Sequence, residues 1–513
     1  MNPTHEQQPI IDYRGPYLVV KAYAGCGKTA TLEAFAYANT SIKILYLAYN
    51  KAIKDEAMAR FPDNVICKTG HQLAWPRFGT RYAHKLGNPK LTDVSKLLAT
   101  RDWGFVRHVM AVFNNFTSSA EPEIGMCHFI AALSDEERDA YGDSRIEKLL
   151  NGAGAVWEAM TDEKSAFVCA HDAYLKLYQL SDPQLDYDCI LLDEAQDTNP
   201  VLGAIVAGQR GQKIFVGDKL QQIYRWRGAE NALDKQIEQG AEAMYLTNSF
   251  RFGPMIAGVA NAILRLQGET RPLVGLGPAD RVQTSMSGIR GQYTILNRTV
   301  TGVLMSAIDS VANGLTVFWN GGIEAYNLSQ LEDVYYLKTN KHSQIQDYRL
   351  KHFKSYEAYT DAAEASEDPE MLRTMRILKT YGDIPRLISS LRQCTVDDIT
   401  EADVVLSTAH RAKGLEWDVV LLEEDFPDIF DEERVDPSQV GDELNLLYVA
   451  VTRARRVVDH LGSTPGRGVR RSVRGGGACH QRLHGQTPPG CSGGQDEAPQ
   501  GEPGGIRGLP AGA

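Results

Sequence analysis

A-Y-A-G-C-G-K-T, residues 22–29, is the stretch from which the rest of this chain is read. An apolar run, residues 17–20, leads into it, and a helix-forming run, residues 30–38, leads out. Strand, glycine turn, lysine, hydroxyl and helix form the layout of a phosphate-binding loop. Gly25 and Gly27 let the backbone N–H groups of Ala24, Gly25, Cys26 and Gly27 turn toward an anion. The helix that follows adds its positive N-terminal end. Lys28 suits the β- and γ-phosphates of a nucleoside triphosphate, and the Thr29 hydroxyl suits Mg2+. Ala22 stands where such a loop usually has its first glycine. Lys28 is expected in an exposed loop, where its removal would cost little stability.

The bulk properties bound the answer. The chain has 513 residues, 43% hydrophobic and 23% charged, as in an ordinary multidomain globular protein. No run of about 18 apolar residues predicts a membrane span. The polar start, residues 1–9, lacks an apolar signal core. Eight cysteines are scattered without a C-x-x-C pair, which argues against a zinc site or a disulfide framework and fits a reducing cytosol. The net charge of −11 counts mildly against a nucleic-acid binder but allows a local basic groove.

Outward from the loop, strands are predicted at residues 42–48 and 64–68, with a helix over 52–60 between them. Residues 75–181 change texture to helical runs carrying Trp103, Phe105, Phe113 and Phe116, as in a helical insertion. Strands return at 189–192, 213–216 and 243–246. A second α/β region has strands at 293–296, 316–319, 404–407 and 419–422, and a mostly helical stretch spans 344–391. A helix is predicted over 444–455. From about residue 461 Gly, Pro, Arg and Ser dominate, a composition that buries too little surface to offset chain entropy.

I-L-L-D-E-A-Q-D-T, residues 190–198, places Asp193 and Glu194 at the C-terminal end of a buried strand, where open α/β sheets bind ligands. An aspartate there can hold Mg2+, and an adjacent glutamate can take a proton from an attacking water. This stretch resembles motif II of the superfamily 1A DNA helicases of the UvrD/Rep/PcrA type. The resemblance extends over most of the chain before residue 458. T-H-E-Q (4–7) resembles the Q motif, L-Y-L-A-Y-N-K-A (45–52) motif Ia, and T-G-H (69–71) the T-F-H element. G-D-K-L-Q-Q-I-Y-R-W-R-G-A (217–229) resembles motif III, and N-S-F-R-F (248–252) motif IV. T-A-H-R-A-K-G-L-E-W (408–417) and L-L-Y-V-A-V-T-R-A-R (446–455) resemble motifs V and VI. The details of motifs Ia and IV are nearest the F-box-type DNA helicase branch, although no F-box is apparent.

The resemblance implies an α/β fold of two RecA-like P-loop NTPase lobes. The first would carry a helical insertion and the second a reduced one. The implied boundaries are 1–74 and 182–245 for the first lobe, 75–181 for its insertion, and 246–458 for the second lobe, with the reduced insertion at about 340–395. Gln7 would read adenine, Phe250 would stack on it, and Glu416 would accept from the ribose. Lys28, Glu194 and Gln221 would act on the phosphates with Arg251 and Arg453, the latter two as fingers from the second lobe. Thr29 and Asp193 would hold Mg2+ with ATP. Asn50, Thr69, His71 and His410 would contact the strand, and Trp226 would stack on a base.

The implied activity is ATP-dependent 3′ to 5′ movement on single-stranded or forked DNA, with duplex unwinding in repair or recombination alongside proteins of those pathways. The implied setting is cytoplasmic and nucleoid-associated, away from membranes. Three alternatives stay open: a translocase that strips proteins from DNA with little unwinding, a catalytically impaired single-strand-binding protein, and an RNA-directed enzyme. Motif VI runs quickly into D-H-L-G-S-T-P-G, so the second lobe is expected to be interrupted there. Residues 459–513 are expected as a disordered tail, either the product of a shifted reading frame or a natural flexible basic tail.

Overall fold

The computed structural model describes residues 2–223, 232–285, 289–366, 368–429 and 439–460. Its first sheet is built from β1 (Tyr17–Ala22), β2 (Ile44–Ala48), β3 (Val65–Thr69), β4 (Cys189–Leu192), β5 (Gln212–Gly217) and β6 (Glu242–Leu246). The order is β3-β2-β4-β5-β1-β6, with every pairing parallel. I-L-Y-L-A and C-I-L-L are buried along their whole length. That is why they read as unbroken apolar runs: both faces of a parallel sheet are covered. Between β3 and β4 lies the helical insertion, whose longest members are the helices Trp103–Ser118 and Asp143–Thr161. Its Val106, Val109, Phe113 and Val156 share one core with Leu45, Ile190 and Phe215 of the sheet.

A short parallel pair, β7 (Asn248–Ser249) and β8 (Val274–Gly275), follows. The second sheet contains β9 (Arg281–Gln283), β10 (Tyr293–Asn297), β11 (Val317–Trp319), β12 (Val404–Thr408), β13 (Trp417–Leu422) and β14 (Ala454–His460). The order is β11-β12-β10-β13-β14-β9, again parallel throughout. The fold is therefore mixed α/β with two parallel sheets. One core continues from the first sheet to the second, joining Val20 and Tyr46 to Val420, Leu422 and Tyr448 through the helices Pro254–Leu266 and Val440–Val451. Ile377, Leu378, Ile388 and Leu391, from the helices Pro369–Thr380 and Ile384–Gln393, pack in the same core as Val404 and Leu406 of β12.

Two expectations are corrected at the C-terminal end of the described chain. The helix over 444–455 instead spans Val440–Val451, and Arg453 stands in the turn before β14. Thr452 ends the helix by turning its hydroxyl back to the carbonyls of Tyr448 (2.8 Å) and Val449 (3.1 Å). Val457 and Val458, β-branched and apolar, then fill the slot between β13 and β9. The second sheet is also not interrupted after Val458. The strand continues through Asp459, which is fully buried and accepts from Gln283 Nε2 at 3.2 Å. The remainder of the expected tail, 461–513, lies outside the described residues.

Candidate active site

The glycines do what their positions require. Gly25 and Gly27 both have φ of +74°, in the left-handed region that other residues rarely adopt. A Cβ on Gly25 would come within 2.4 Å of Ser249 Oγ and 2.7 Å of Arg251 Cβ, so only a glycine lets the loop lie against the 248–252 segment. The Phe250 N–H donates to the Gly25 carbonyl at 2.9 Å. Ala24 and Cys26 are buried behind the loop, and burial pushes the Cys26 thiol up and out of reactivity.

Lys28 opens the helix Lys28–Tyr37, with Thr29 beside it. The expected exposed loop is corrected: the Lys28 side chain is only 12% exposed, and its ammonium lies 3.9 Å from Glu194 Oε1. The reason is the topology, which sets the end of β1 one strand away from β5 and two from β4. Burial opposes the Lys28 charge, but Glu194, Asp218 and Asp193 outweigh it and hold the ammonium more firmly protonated.

Asp193 and Glu194 follow β4 directly. Burial, then the Glu194 charge, pushes the Asp193 carboxyl up, although the Tyr46 hydroxyl donates to it at 2.6 Å. Burial also opposes ionisation of Glu194, but Lys28, Lys413 and the Gln196 amide together hold it low. The Glu194 backbone lies in the left-handed region (φ +49°), uncommon for a residue with a side chain. The Thr29 hydroxyl and the Asp193 carboxylate are hard oxygen donors, the kind Mg2+ takes when it keeps waters and substrate phosphates as its other ligands. The chemistry of the donor set fits that ion.

Gln7 and Phe250 form a small slot over the loop. Gln7 Nε2 donates to Thr31 Oγ1 at 3.1 Å and would lie 3.2 Å from a Cβ on Gly27, with the Phe250 ring 3.9 Å from the same point. Phe250 is 42% exposed, so its ring is accessible to a stacking partner. Glu6 fixes the slot by accepting from Thr247 N (2.8 Å), Thr247 Oγ1 (2.7 Å) and Asn248 Nδ2 (3.1 Å).

The segment after β7 and the turns before β13 and β14 send several side chains to the same place. Arg251 donates to Glu416 Oε2 at 2.6 Å and to the Thr452 carbonyl at 3.0 Å, so these two predicted site residues are paired with each other. Arg453 is 1% exposed. It donates to the carbonyls of Val449 (2.9 Å) and Leu415 (3.3 Å), to Thr452 Oγ1 (3.1 Å) and to Gln221 Oε1 (3.3 Å). These partners are all neutral oxygens. Burial, then the charge of Arg251, pulls its guanidinium down to about 9. A surface ion pair is thereby excluded for Arg453. Gln221 Nε2 in turn donates to Asp218 Oδ2 at 2.7 Å.

Five contributors escaped sequence reasoning. The fully buried Tyr448 hydroxyl accepts from the Ala24 N–H (3.1 Å) and donates to Asp218 Oδ2 (3.2 Å), tying the phosphate loop to the segment carrying Gln221. Lys413 forms a buried ion pair with Asp197 and donates to the Gln221 carbonyl. Gln196 stands between Glu194 and Asp218. All five lie inside stretches already singled out, but no spacing rule marks a buried hydrogen-bonding partner.

The predicted strand contacts occupy a different part of the edge. Asn50 follows β2 and Thr69 ends β3, which are neighbours in register at Ala48 and Thr69. Both have local work. Asn50 Oδ1 accepts from the Ile53 N–H at 2.9 Å, and Thr69 forms a capping box with Gln72. His71 is half-buried, pairs with Asp172 at 3.1 Å and meets Tyr174 edge-on. His410 is half-buried in the loop after β12. Trp226 lies outside the described residues.

Among known proteins, residues 109–458 match the UvrD-like helicase C-terminal domain. The chain is 34% identical to F-box DNA helicase 1 of Gallus gallus, over 88% of this chain and 48% of that protein. It is 30% identical to F-box DNA helicase protein 1 of Schizosaccharomyces pombe, over 88% of this chain and 56% of that protein. DNA helicase II of Haemophilus influenzae is 26% identical, over 49% of this chain and 38% of the relative. The chain spans about half the length of the first two relatives.

Proposed function

This chain belongs to the UvrD-like helicase family, and from that footing we propose that it is an ATP-dependent DNA helicase moving 3′ to 5′ on single-stranded DNA. The two sheets act as RecA-like lobes, and ATP binds between them. Gln7 reads the adenine edge and Phe250 stacks on its face. The N–H groups of Gly25 and Gly27 and the Lys28 ammonium take the phosphates, while the Ala24 and Cys26 N–H groups shape the loop through the Tyr448 hydroxyl and the Tyr23 carbonyl. Thr29 and Asp193 would hold Mg2+, which would supply positive charge against the phosphates. Glu194 accepts the proton of the attacking water as its oxygen bonds to the γ-phosphorus and the bond to the β-phosphate oxygen breaks. Arg453, before β14, and Arg251, after β7, stabilise charge on the transferred group. Asn50, Thr69, His71, Trp226 and His410 track the strand, and the setting is repair or recombination in a DNA-bearing compartment.

The observation that supports this best is Arg453. A buried guanidinium, hydrogen-bonded to neutral oxygens and crowded by Arg251, touches Gln221 and lies within the field of Glu194. Burying such a charge is costly unless an anion joins it, and a triphosphate is the anion that this loop selects. A forked duplex with a 3′ single-stranded arm tests the reading. ATP-dependent strand separation should require that arm, and separation that requires a 5′ arm instead would reverse the polarity.

One observation favours a second reading. The helices after residue 355 are packed into the second sheet's own core through Ile377, Leu378, Ile388 and Leu391. A chain so arranged suits a translocase that displaces bound proteins with little unwinding. Protein displacement at a high rate beside weak strand separation would establish it.

A further inference from the structure

Gln196 is fully buried in D-E-A-Q-D, two residues past Glu194. Every polar atom of its amide is engaged. Nε2 donates to Glu194 Oε2 at 2.5 Å and to Asp197 Oδ2 at 3.3 Å, while Oε1 accepts from the Asp218 N–H at 3.0 Å. Its backbone carbonyl accepts from Gln222 Nε2 at 3.0 Å. The amide cannot be flipped, because its oxygen would then face the Glu194 carboxylate and its NH2 the Asp218 N–H. The space is kept open by a second residue. A Cβ on Gly217, the last residue of β5, would come within 2.3 Å of Gln196 Oε1.

Glu194 needs such a holder. Its backbone sits in the left-handed region, which carries strain for a residue with a Cβ and persists where the surroundings enforce it. Its carboxylate receives two fixed contacts, the Lys28 ammonium on Oε1 and the Gln196 amide on Oε2. Lys28 is also the group that takes phosphate, so the Gln196 bond is the one that does not compete with substrate. The far end of the same chain is Asp197, paired with Lys413 from the loop between β12 and β13.

We propose that Gln196 is a positioning residue that aims the Glu194 carboxylate at the attacking water, and that the Lys413–Asp197 pair carries the placement of the second sheet to it. This rests on the reading of Glu194 as the proton acceptor. Gln196 touches neither water nor phosphate in this role. It acts by fixing one carboxylate oxygen, leaving the other to accept the proton.

The test compares an isosteric swap with a truncation. If Gln196 merely fills space, Gln196→Glu should be milder than Gln196→Ala, because shape is kept. If it positions by donating, Gln196→Glu should be worse, because it sets a second carboxylate against Glu194 and removes both donors. Gln196→Ala should lower kcat by about 10–100-fold, the usual cost of losing a partner that orients a reacting group. Gln196→Glu should lower it further, and KM for ATP should stay within about threefold in both. Gly217→Ala, which leaves Gln196 in place but displaces its amide, should lower kcat in the same way and carries the test should either position-196 variant fail to fold. Glu194→Gln run beside them separates the two layers. Full turnover in Glu194→Gln overturns the base assignment and this proposal together. Loss of turnover there, with near-normal kcat in Gly217→Ala or a milder effect of Gln196→Glu than of Gln196→Ala, overturns this proposal alone.

Discussion

The parts of the first sheet that we assign to nucleotide and to single strand are built differently along one C-terminal edge. At β1, β4 and β5 the side chains are buried, mutually bonded and reached by residues of the second sheet: Lys28 with Glu194, Asp218 with Tyr448, and Gln221 with Arg453. At the ends of β2 and β3 the two helix-start residues bond locally, the exposed Asn50 with Ile53 and the buried Thr69 with Gln72. The contrast shows where coupling can originate. A group bonded only to its own helix cannot report on the other sheet, whereas one bonded to residues of both sheets would change partners if the sheets moved, as we propose they do.

The largest expected break lies on the buried side. Lys28→Ala should abolish ATP turnover, and because Lys28 is mostly buried beside Glu194 it should also lower the melting temperature measurably. An unchanged melting curve would return Lys28 to an exposed setting. Arg453→Ala should lower DNA-stimulated turnover by about 10³ or more and ground-state ATP affinity only modestly. Arg453→Lys should be almost as damaging, since an ammonium cannot keep four directions of hydrogen bonding at once. A loss below about tenfold, measured as kcat with saturating single strand, would make Arg453 a fold residue.

On the second tier, Lys413→Met removes the cross-cleft ion pair while keeping the stem's bulk. Stimulation by single-stranded DNA should fall more than the unstimulated rate does; equal falls in both would show the pair to be structural. The smallest effect belongs to the locally bonded side. Thr69→Ala should cost about 1 kcal/mol of stability by denaturant titration, the worth of an N-cap, and leave DNA-independent turnover unchanged. A large loss of that basal rate would mean that the two parts of the edge are less separate than their bonding suggests.

The phosphate loop, the buried strands and the helical insertion were legible because each has its own local pattern: glycine–lysine–hydroxyl spacing, unbroken apolar runs on a sheet covered on both faces, and helical periodicity. The short strands β7, β8 and β9 were not, since two or three residues are too few to show a period. The 444–455 helix was overextended because V-A-V-T-R-A-R suits either state. The choice was made by the open slot between β13 and β9, which is tertiary. The burial of Arg453 and the roles of Tyr448 and Gln196 were invisible for the same reason. A tyrosine or glutamine carries no sign of the distant N–H or carboxylate it will meet.

The central claim is that ATP chemistry here is built across both sheets and answers to a bound strand. Steady-state ATP hydrolysis with Mg2+, with and without a single-stranded oligodeoxynucleotide, tests it most directly when the wild-type chain and Arg453→Ala are run side by side. The account predicts a rate that rises at least about tenfold with the strand in the wild type and hardly at all in the variant. A wild-type rate indifferent to the strand, or a variant stimulated as fully as the wild type, would contradict it.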